Sequence, residues 1–554
     1  MRLTSKLRNM VRTHCLKVWI AIFLFASFLF AQETHNLEII WTIPGNPALR
    51  AFGINLASGD VDNDGHSDII VSADTYTAVG TTPYSGRVCL YFGNSIGDTL
   101  PDIVLKSPFF KGSTPTRVRS ADLNGDNFDD IIMGEEQADT GYGTVTIFLG
   151  GDLIDTVPDF ILKGRLVSGW FFGCDISSGD VNGDGFSDLI VGAYGTTNFL
   201  GQVYIYFGGP NFNTVPDVIL NGGHQGQREG FGCTVGSSGD VNSDGFEDVI
   251  VGAPDFSSGS FWGEGRIYIY YGGDPMDNIY DVAMNGEVPS QNLGWEPKVN
   301  LLKTELEYDM ATFGSSFWPY GFPRQGPGKV YVLFGGNPMD SIPDVWMIGR
   351  TDSTTLGRSV SNAGFVNQTG SEGIISGAPI EYGVIGTAYL WLGGTLLDTT
   401  PDAWIRGIRY DDGIGWYVAS AGDVDCNGKD EIMVSNYASY DTPKRVWVCK
   451  YTEPGIEEHG PLNAIRLTLE IYPNPAKSVV RVRCPLFVKN IKIYDITGKI
   501  VKELAVGKMH EPGQYEIKWD LRDNNQKRVA AGIYFLEINT KEELREIRKI
   551  TIVR

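Results

Sequence analysis

The chain is poor in most of what catalysis or nucleic-acid binding requires. Its 554 residues include six histidines, and His14, His35, His66, His224, His459 and His510 follow neither a zinc-site nor a triad spacing. No Gly-x-Ser-x-Gly turn and no phosphate-binding glycine loop occurs. Lys and Arg number 45 against 67 Asp and Glu, a formal charge of −22, which argues against a nucleic-acid partner. The seven cysteines form no CxxC pair and no regular framework, so no disulfide scaffold is expected. Cys174 and Cys233 both follow Phe-Gly and should pack as small apolar residues, while a Cys89 to Cys449 link stays open. Long helical periodicities are missing. So are apolar runs able to span a bilayer, except for a short one, Val18 to Phe30, which lies behind Arg2, Lys6, Arg8, Arg12 and Lys17 and ends at Ala31. Residues 1–31 therefore read as a secretory signal peptide, too short in its apolar part for a membrane span, and the mature chain is expected to have none.

What is abundant is glycine, 69 residues, with 12% aromatics, a composition that suits an all-β chain with many tight turns. Charge is unevenly spread. Residues 32–462 carry 22 basic and 56 acidic side chains, whereas residues 463–554 carry 18 and 11, so two domains are expected.

One nine-residue acidic loop is written five times. The first copy reads Asp60-Val-Asp-Asn-Asp-Gly-His-Ser-Asp68, and the others begin at Asp122, Asp180, Asp240 and Asp423. Oxygen side chains recur at places one, three, five and nine, with Gly or Asn at six, the way a chain wraps a hard cation such as calcium. The candidate ligands are Asp60, Asp62, Asp64, His66 and Asp68; Asp122, Asn124, Asp126, Phe128 and Asp130; Asp180, Asn182, Asp184, Phe186 and Asp188; Asp240, Asn242, Asp244, Phe246 and Asp248; and Asp423, Asp425, Asn427, Lys429 and Glu431. In each set the seventh residue (His66, Phe128, Phe186, Phe246, Lys429) lends only its carbonyl. Asn127 takes the left-handed turn that Gly takes elsewhere. An EF-hand is excluded, because Val71, Met133, Val191 and Val251 stand where its bidentate Glu would be. About five Ca2+ ions are expected in structural roles, since carboxylates crowded on one loop repel one another without a cation.

The loops recur about every 60 residues, and the interval from 240 to 423 equals three such steps. Seven repeats of four short strands follow, two of them without a proper loop: Asn300 and Glu305 in the fifth and Asn367 and Glu372 in the sixth are wrongly spaced, and no metal is expected there. Radial repetition protects sheet edges, so a seven-bladed β-propeller over residues 36–451 is expected, with a solenoid as the other geometry. The opening strand, Leu37 to Thr42, should complete the last blade beside Arg445 to Cys449 and close the ring. Phe172-Gly173 with Val191-Gly-Ala193, and Phe231-Gly232 with Val251-Gly-Ala-Pro254, resemble FG-GAP repeats, which implies the seven-bladed propeller of integrin α chains and related bacterial surface proteins.

The propeller face away from the acidic loops is expected to hold any ligand site. Phe256, Phe261, Trp262, Phe317, Trp318 and Tyr320 on its loops suit recognition of protein or sugar, or equally cap the disc's own core. A linker at 452–466 leads to a small immunoglobulin-like β-sandwich, residues 467–554, expected to contain seven strands. Its segments Tyr472-Pro-Asn-Pro-Ala476, Tyr494-Asp-Ile-Thr-Gly-Lys499, Trp519-Asp-Leu-Arg-Asp523 and Val529-Ala-Ala-Gly-Ile-Tyr-Phe535 resemble the type A C-terminal sorting domain of the type IX secretion system, with Gln526 where that family commonly has Gly. The resemblance implies the outer-membrane secretion machinery as a partner, and either release or surface attachment on a Gram-negative-type bacterium. The expectation is thus an exported, calcium-stabilised, non-catalytic recognition or adhesion protein for an extracellular protein or glycan. A lectin and a hydrolase of extracellular polymers are the alternatives.

Overall fold

The computed structural model describes residues 33–453 and 470–553, apart from 46–51, 75–85, 110–116, 165–169, 224–227, 238, 260–262, 296–298, 305–307, 317–325, 351–353, 368–369, 382–384, 395–396, 409–411, 437–443, 473–476, 478, 485–487, 496–498, 505–508, 512–513, 525 and 541–544. Residues 1–31, read above as a signal peptide, lie outside them. The chain divides into two compact units at residues 453 and 454.

Among the described residues the first unit is built from seven antiparallel sheets, six of four strands and one of five. The third is typical: Ile176–Gly179 is innermost, followed by Asp188–Ala193, Gln202–Tyr206 and Val218–Asn221. The innermost strands, beginning at Leu56, Arg117, Ile176, Thr234, Val299, Ser359 and Ile414, each touch the next, and the last touches the first. The result is a closed ring of seven blades rather than an open rod. Every residue of Asp188–Ala193 is buried, because its sheet is covered on both faces by neighbouring sheets. Core clusters accordingly run between blades: Ile132, Val145 and Ile147 of the second pack with Ile176, Leu189 and Tyr204 of the third.

The Phe-Gly and Gly-Ala motifs meet at these joints. Gly173 donates its N–H to the Gly192 carbonyl at 2.9 Å, and Gly232 to Gly252 at 3.0 Å. A Cβ on Gly192 would collide with the Gly232 carbonyl, so side chains are excluded where adjacent backbones touch.

Ring closure follows the expected plan. Leu37–Pro44 pairs with Arg445–Tyr451 as the outer strand of the seventh blade, burying Leu37, Trp41 and Ile43. Three residues earlier in the chain add something the sequence did not announce: Glu33–His35 pairs with Ala403–Arg406 and makes the sixth blade five-stranded.

The second unit has two four-stranded sheets. One contains Glu470–Tyr472, Val480–Cys484, Gln514–Trp519 and Met509–Glu511; the other contains Ile500–Leu504, Val488–Asp495, Gly532–Thr540 and Arg545–Ile552. Val480 and Trp519 of the first share a core with Ile491, Ile493, Leu536 and Ile550 of the second. Eight strands therefore replace the seven expected, the extra one being Met509–Glu511, which is too short and too polar to alternate visibly. Gln526 has φ 62°, the left-handed conformation that explains why glycine suits this turn.

Candidate metal centres and the opposite face

All five acidic loops share one backbone design. The first aspartate accepts the N–H groups of places five and six: Asp180 Oδ1 from Asp184 at 3.0 Å and Oδ2 from Gly185 at 2.9 Å, and Asp423 Oδ1 from Asn427 at 2.9 Å and Oδ2 from Gly428 at 2.8 Å. The ninth residue ties the loop to its sheet. Asp188 accepts from Val181 at 2.9 Å and from Gly208, a blade-edge glycine, at 2.8 Å. Asn127 takes φ 68° at the turn, as Gly185 takes 89°. Burial pushes the ninth carboxyl up, to about 7 at Asp68, Asp130, Asp188 and Glu431 and about 8 at Asp248. A cation beside these groups would offset that desolvation.

The third place divides the loops in two. Where it is Asn, the amide closes the loop internally: Asn182 Nδ2 donates to Asp184 Oδ2 at 3.0 Å, and Asn124 and Asn242 do the same to Asp126 and Asp244. Where it is Asp, no such donor exists. Asp62 Oδ1 and Asp425 Oδ1 are buried without a hydrogen-bond partner. Each belongs to a group of three carboxylates whose oxygens lie within 4.8 Å of one another: Asp60, Asp62 and Asp68, and Asp423, Asp425 and Glu431. Burial, then the Asp64 and Asp60 charges, raises the Asp62 pKa. Orphaned buried oxygens facing like charges fit a divalent cation.

The seventh residues do more than lend a carbonyl. The Phe186 ring covers Gly125 of the preceding loop and the Phe246 ring covers Gly183, while His66 Nδ1 donates to the Val424 carbonyl at 2.8 Å. Lys429 Nζ lies 3.3 Å from Glu453.

Where it is acidic, the eighth residue clasps neighbouring blades; Ser67 and Ser187 hold that place in the first and third loops. Asp129 Oδ2 accepts the Asp60 N–H at 3.0 Å, and its own N–H donates to the Asp60 carbonyl at 3.0 Å. Glu247 with Asp180, Asp309 with Asp240, Glu372 with Lys303 and Asp430 with Phe365 repeat this two-bond clasp. The acidic doublets Asp129-Asp130, Glu247-Asp248 and Asp430-Glu431 were the available signal.

In the fifth blade the clasp partner is Lys303, standing where other loops begin with Asp, and its Nζ lies 2.8 Å from Glu247. Burial works against this ammonium, but Glu247, Glu372 and Asp309 outweigh it and raise its pKa. A resident cation thus stands beside the place where the acidic loops have their first candidate ligand. In the sixth blade Phe365 stands at that place. Glu305 and the Asn300 side chain lie outside the described residues.

The expected ligand face needs correction at Phe256. It is 0% exposed within a core cluster, and the Arg266 guanidinium lies 3.5 Å from its ring centroid, so it caps the core. Phe261, Trp262, Phe317, Trp318 and Tyr320 lie outside the described residues. A different aromatic group occupies that face. Phe171 stacks on Tyr194 at 4.8 Å and 4°, with Phe199 at 6.2 Å and the Arg228 guanidinium 4.1 Å over Phe199. Trp170, 55% exposed, packs on Phe171 at 6.3 Å. Cys89, Cys174, Cys233, Cys426 and Cys449 are free thiols. Among the described residues no helix is long and apolar enough to cross a membrane.

Comparison with known proteins agrees with this architecture. The FG-GAP repeat family matches residues 52–91, 114–148, 172–206 and 234–270, the first four blades. Integrin alpha-5 of Xenopus laevis is 32% identical over 166 residues, 28% of this chain and 15% of that protein. Integrin alpha-3 of Mus musculus is 39% identical over 128 residues, 22% and 11%. Phosphatidylinositol-glycan-specific phospholipase D of Mus musculus is 33% identical over 192 residues, 32% and 22%. The matched segments thus span between 11 and 22% of these relatives' lengths. The first four blades thus match FG-GAP repeats and resemble segments of integrin alpha chains. Residues 470–553 match the secretion system C-terminal sorting domain, and the chain is a type IX cargo exported to the cell surface or beyond it.

Proposed function

We propose that the protein is a non-catalytic recognition or adhesion module whose ring is stiffened by calcium at the acidic loops and whose opposite face binds an extracellular protein or glycan. The observation that carries the recognition reading is Trp170, half exposed beside the stacked Phe171 and Tyr194 pair and the Arg228-capped Phe199. Exposed aromatics on loops over a rigid scaffold are what protein and sugar recognition use. Calcium is supported by the orphaned oxygens of Asp62 and Asp425, and the shared backbone design extends the reading to all five loops. The carboxylates at the first and ninth places are spent on backbone N–H groups, and the His66 ring is committed to Val424, which favours a structural over a catalytic use.

Binding of the exported protein to immobilised extracellular proteins and glycans tests the proposal. Trp170→Ala and Arg228→Ala should each lose signal while melting unchanged. Undiminished binding by both variants would remove this face from consideration, and product release from a polymer substrate would replace adhesion with hydrolysis.

A further inference from the structure

The innermost strands surround a cavity of about 220 Å³, well above what one water needs. Its wall includes Ser58, Ser120, Ser178 and Ser420 and one long cationic side chain, Arg119. The strand position of Arg119, opposite Ile132, holds a short residue in the first, third and seventh blades: Ala57 opposite Ile70, Ser177 opposite Ile190 and Ala419 opposite Met433. The second blade alone among these sends a guanidinium into the cavity.

Nothing among the described residues engages that guanidinium in a hydrogen bond or ion pair. Asp175 is the carboxylate that acts on it, but its Oδ2 accepts the Val235 N–H at 3.1 Å. The neighbouring cation Arg117 repels it, while Arg117 Nε donates to the Cys174 carbonyl at 2.8 Å. Two serines of the wall are committed as well, Ser58 Oγ to the Ser420 carbonyl at 3.1 Å and Ser120 Oγ to the Ser58 carbonyl. The Ser178 hydroxyl has no such partner among the described residues and stands one blade away from Arg119.

A confined cation with no carboxylate in direct contact is costly, and a guanidinium presents parallel N–H donors that match two oxygens of one anion. We propose that this cavity binds a small oxyanion group, a carboxylate or sulfate, through the Arg119 fork with the Ser178 hydroxyl as a further donor. The group is either a free anion or an acidic side chain inserted by a partner; the chemistry is the same.

Isothermal titration of the whole exported, calcium-loaded protein with sodium acetate, sodium sulfate and a glycine-flanked aspartate peptide tests this. Saturable one-to-one binding is expected in the wild type. It should weaken about tenfold or more in Arg119→Ser, as loss of a charge-assisted bidentate contact does, and less in Arg119→Lys, which keeps the charge without the fork. Binding of acetate or sulfate identifies a free anion, and binding of the peptide alone identifies an inserted side chain. Arg119→Ser should melt no lower than the wild type, since it removes a confined charge; if it fails to fold, the Arg119→Lys affinity decides. No saturable binding of any probe, or equal binding by the folded variants and the wild type, overturns the proposal.

Discussion

Stripping divalent ions should reverse the way this protein's stability depends on pH. In the metal-free form Asp68, Asp130 and Asp188 have their pKa raised to about 7 and Asp248 to about 8, from an ordinary value of 3.8, chiefly by burial. A folded-state pKa above the unfolded one means that the folded chain holds its protons more tightly. The associated stability is complete below about pH 4 and is lost as pH rises through 7 to 8. A carboxyl displaced from about 4 to about 7 corresponds to about 4 kcal/mol between protonation states. Calcium works in the other direction, because it binds the ionised form and must displace those protons. At a hundredfold excess over its dissociation constant each ion contributes about 2.7 kcal/mol, which for a unit this large is about 3 °C in Tm. Scanning calorimetry with calcium or with chelator, at pH 5 and at pH 8, reads the effect. The gap between the two melts should be small at pH 5 and should reach many degrees at pH 8 if several loops fill. Coincident melts at pH 8 would refute the metal reading, and a gap independent of pH would refute its link to the ninth carboxylates.

Three substitutions probe the finer structure. Asp62→Asn supplies the amide that Asn124, Asn182 and Asn242 use to close their loops, so the chelated protein should gain about 1–3 kcal/mol while the calcium increment shrinks, both read from melts. Asp129→Ala leaves the Asp60 N–H without its acceptor and should cost about 1–3 kcal/mol in denaturant unfolding; Asp129→Asn, which keeps an acceptor, should cost less. Gln526→Gly relieves a left-handed residue and should raise the melt of the C-terminal unit by about 1 kcal/mol, whereas Gln526→Val should lower it.

What could be read from the residues was whatever repeats. Places one, three, five and nine of the loop carry oxygen because one turn geometry recurs, and the pairing of Leu37–Pro44 with the last blade followed from a strand left without a partner at each end of the array. Contacts between copies were harder to see. The eighth residue faces away from its own loop toward the preceding blade, so the role of Asp129 or Glu372 depends on a neighbour about 69 residues away in the chain. Lys303 answers to the same logic: a cation in place of an acidic first residue makes sense only beside Glu247. Phe256 went the other way. As an aromatic on a variable loop it suited a binding face, but Arg266 covers its ring and the core takes the rest. Arg119 gave no signal at all, because one arginine in a strand is ordinary until its neighbours around the axis are known.

The distribution of carboxylates around the ring has its own logic. Closure joins the last blade to the first, and this joint uses sequence-distant chain: Trp41 and Ile43 from the opening strand, Val446 and Val448 from the seventh blade, Ile69 and Val71 from the first. Here the eighth residue is Ser67 instead of an acid, and its N–H alone reaches the Asp423 carbonyl at 3.1 Å. The side-chain half of the clasp is missing at this joint, as it is between the second and third blades, where Ser187 is the eighth residue. The two loops flanking this seam, 60–68 and 423–431, are the ones with three converging carboxylates and a buried orphan oxygen. They also touch each other, through His66 Nδ1 to Val424 at 2.8 Å and Cys426 Sγ to Gly65 at 2.9 Å. Three carboxylates converging in each of these loops would repel one another, whereas the same groups holding a divalent ion would stiffen both loops and the contacts between them. The two loops with converging carboxylates therefore flank the joint that closes the ring, and calcium would act there as a lock on closure.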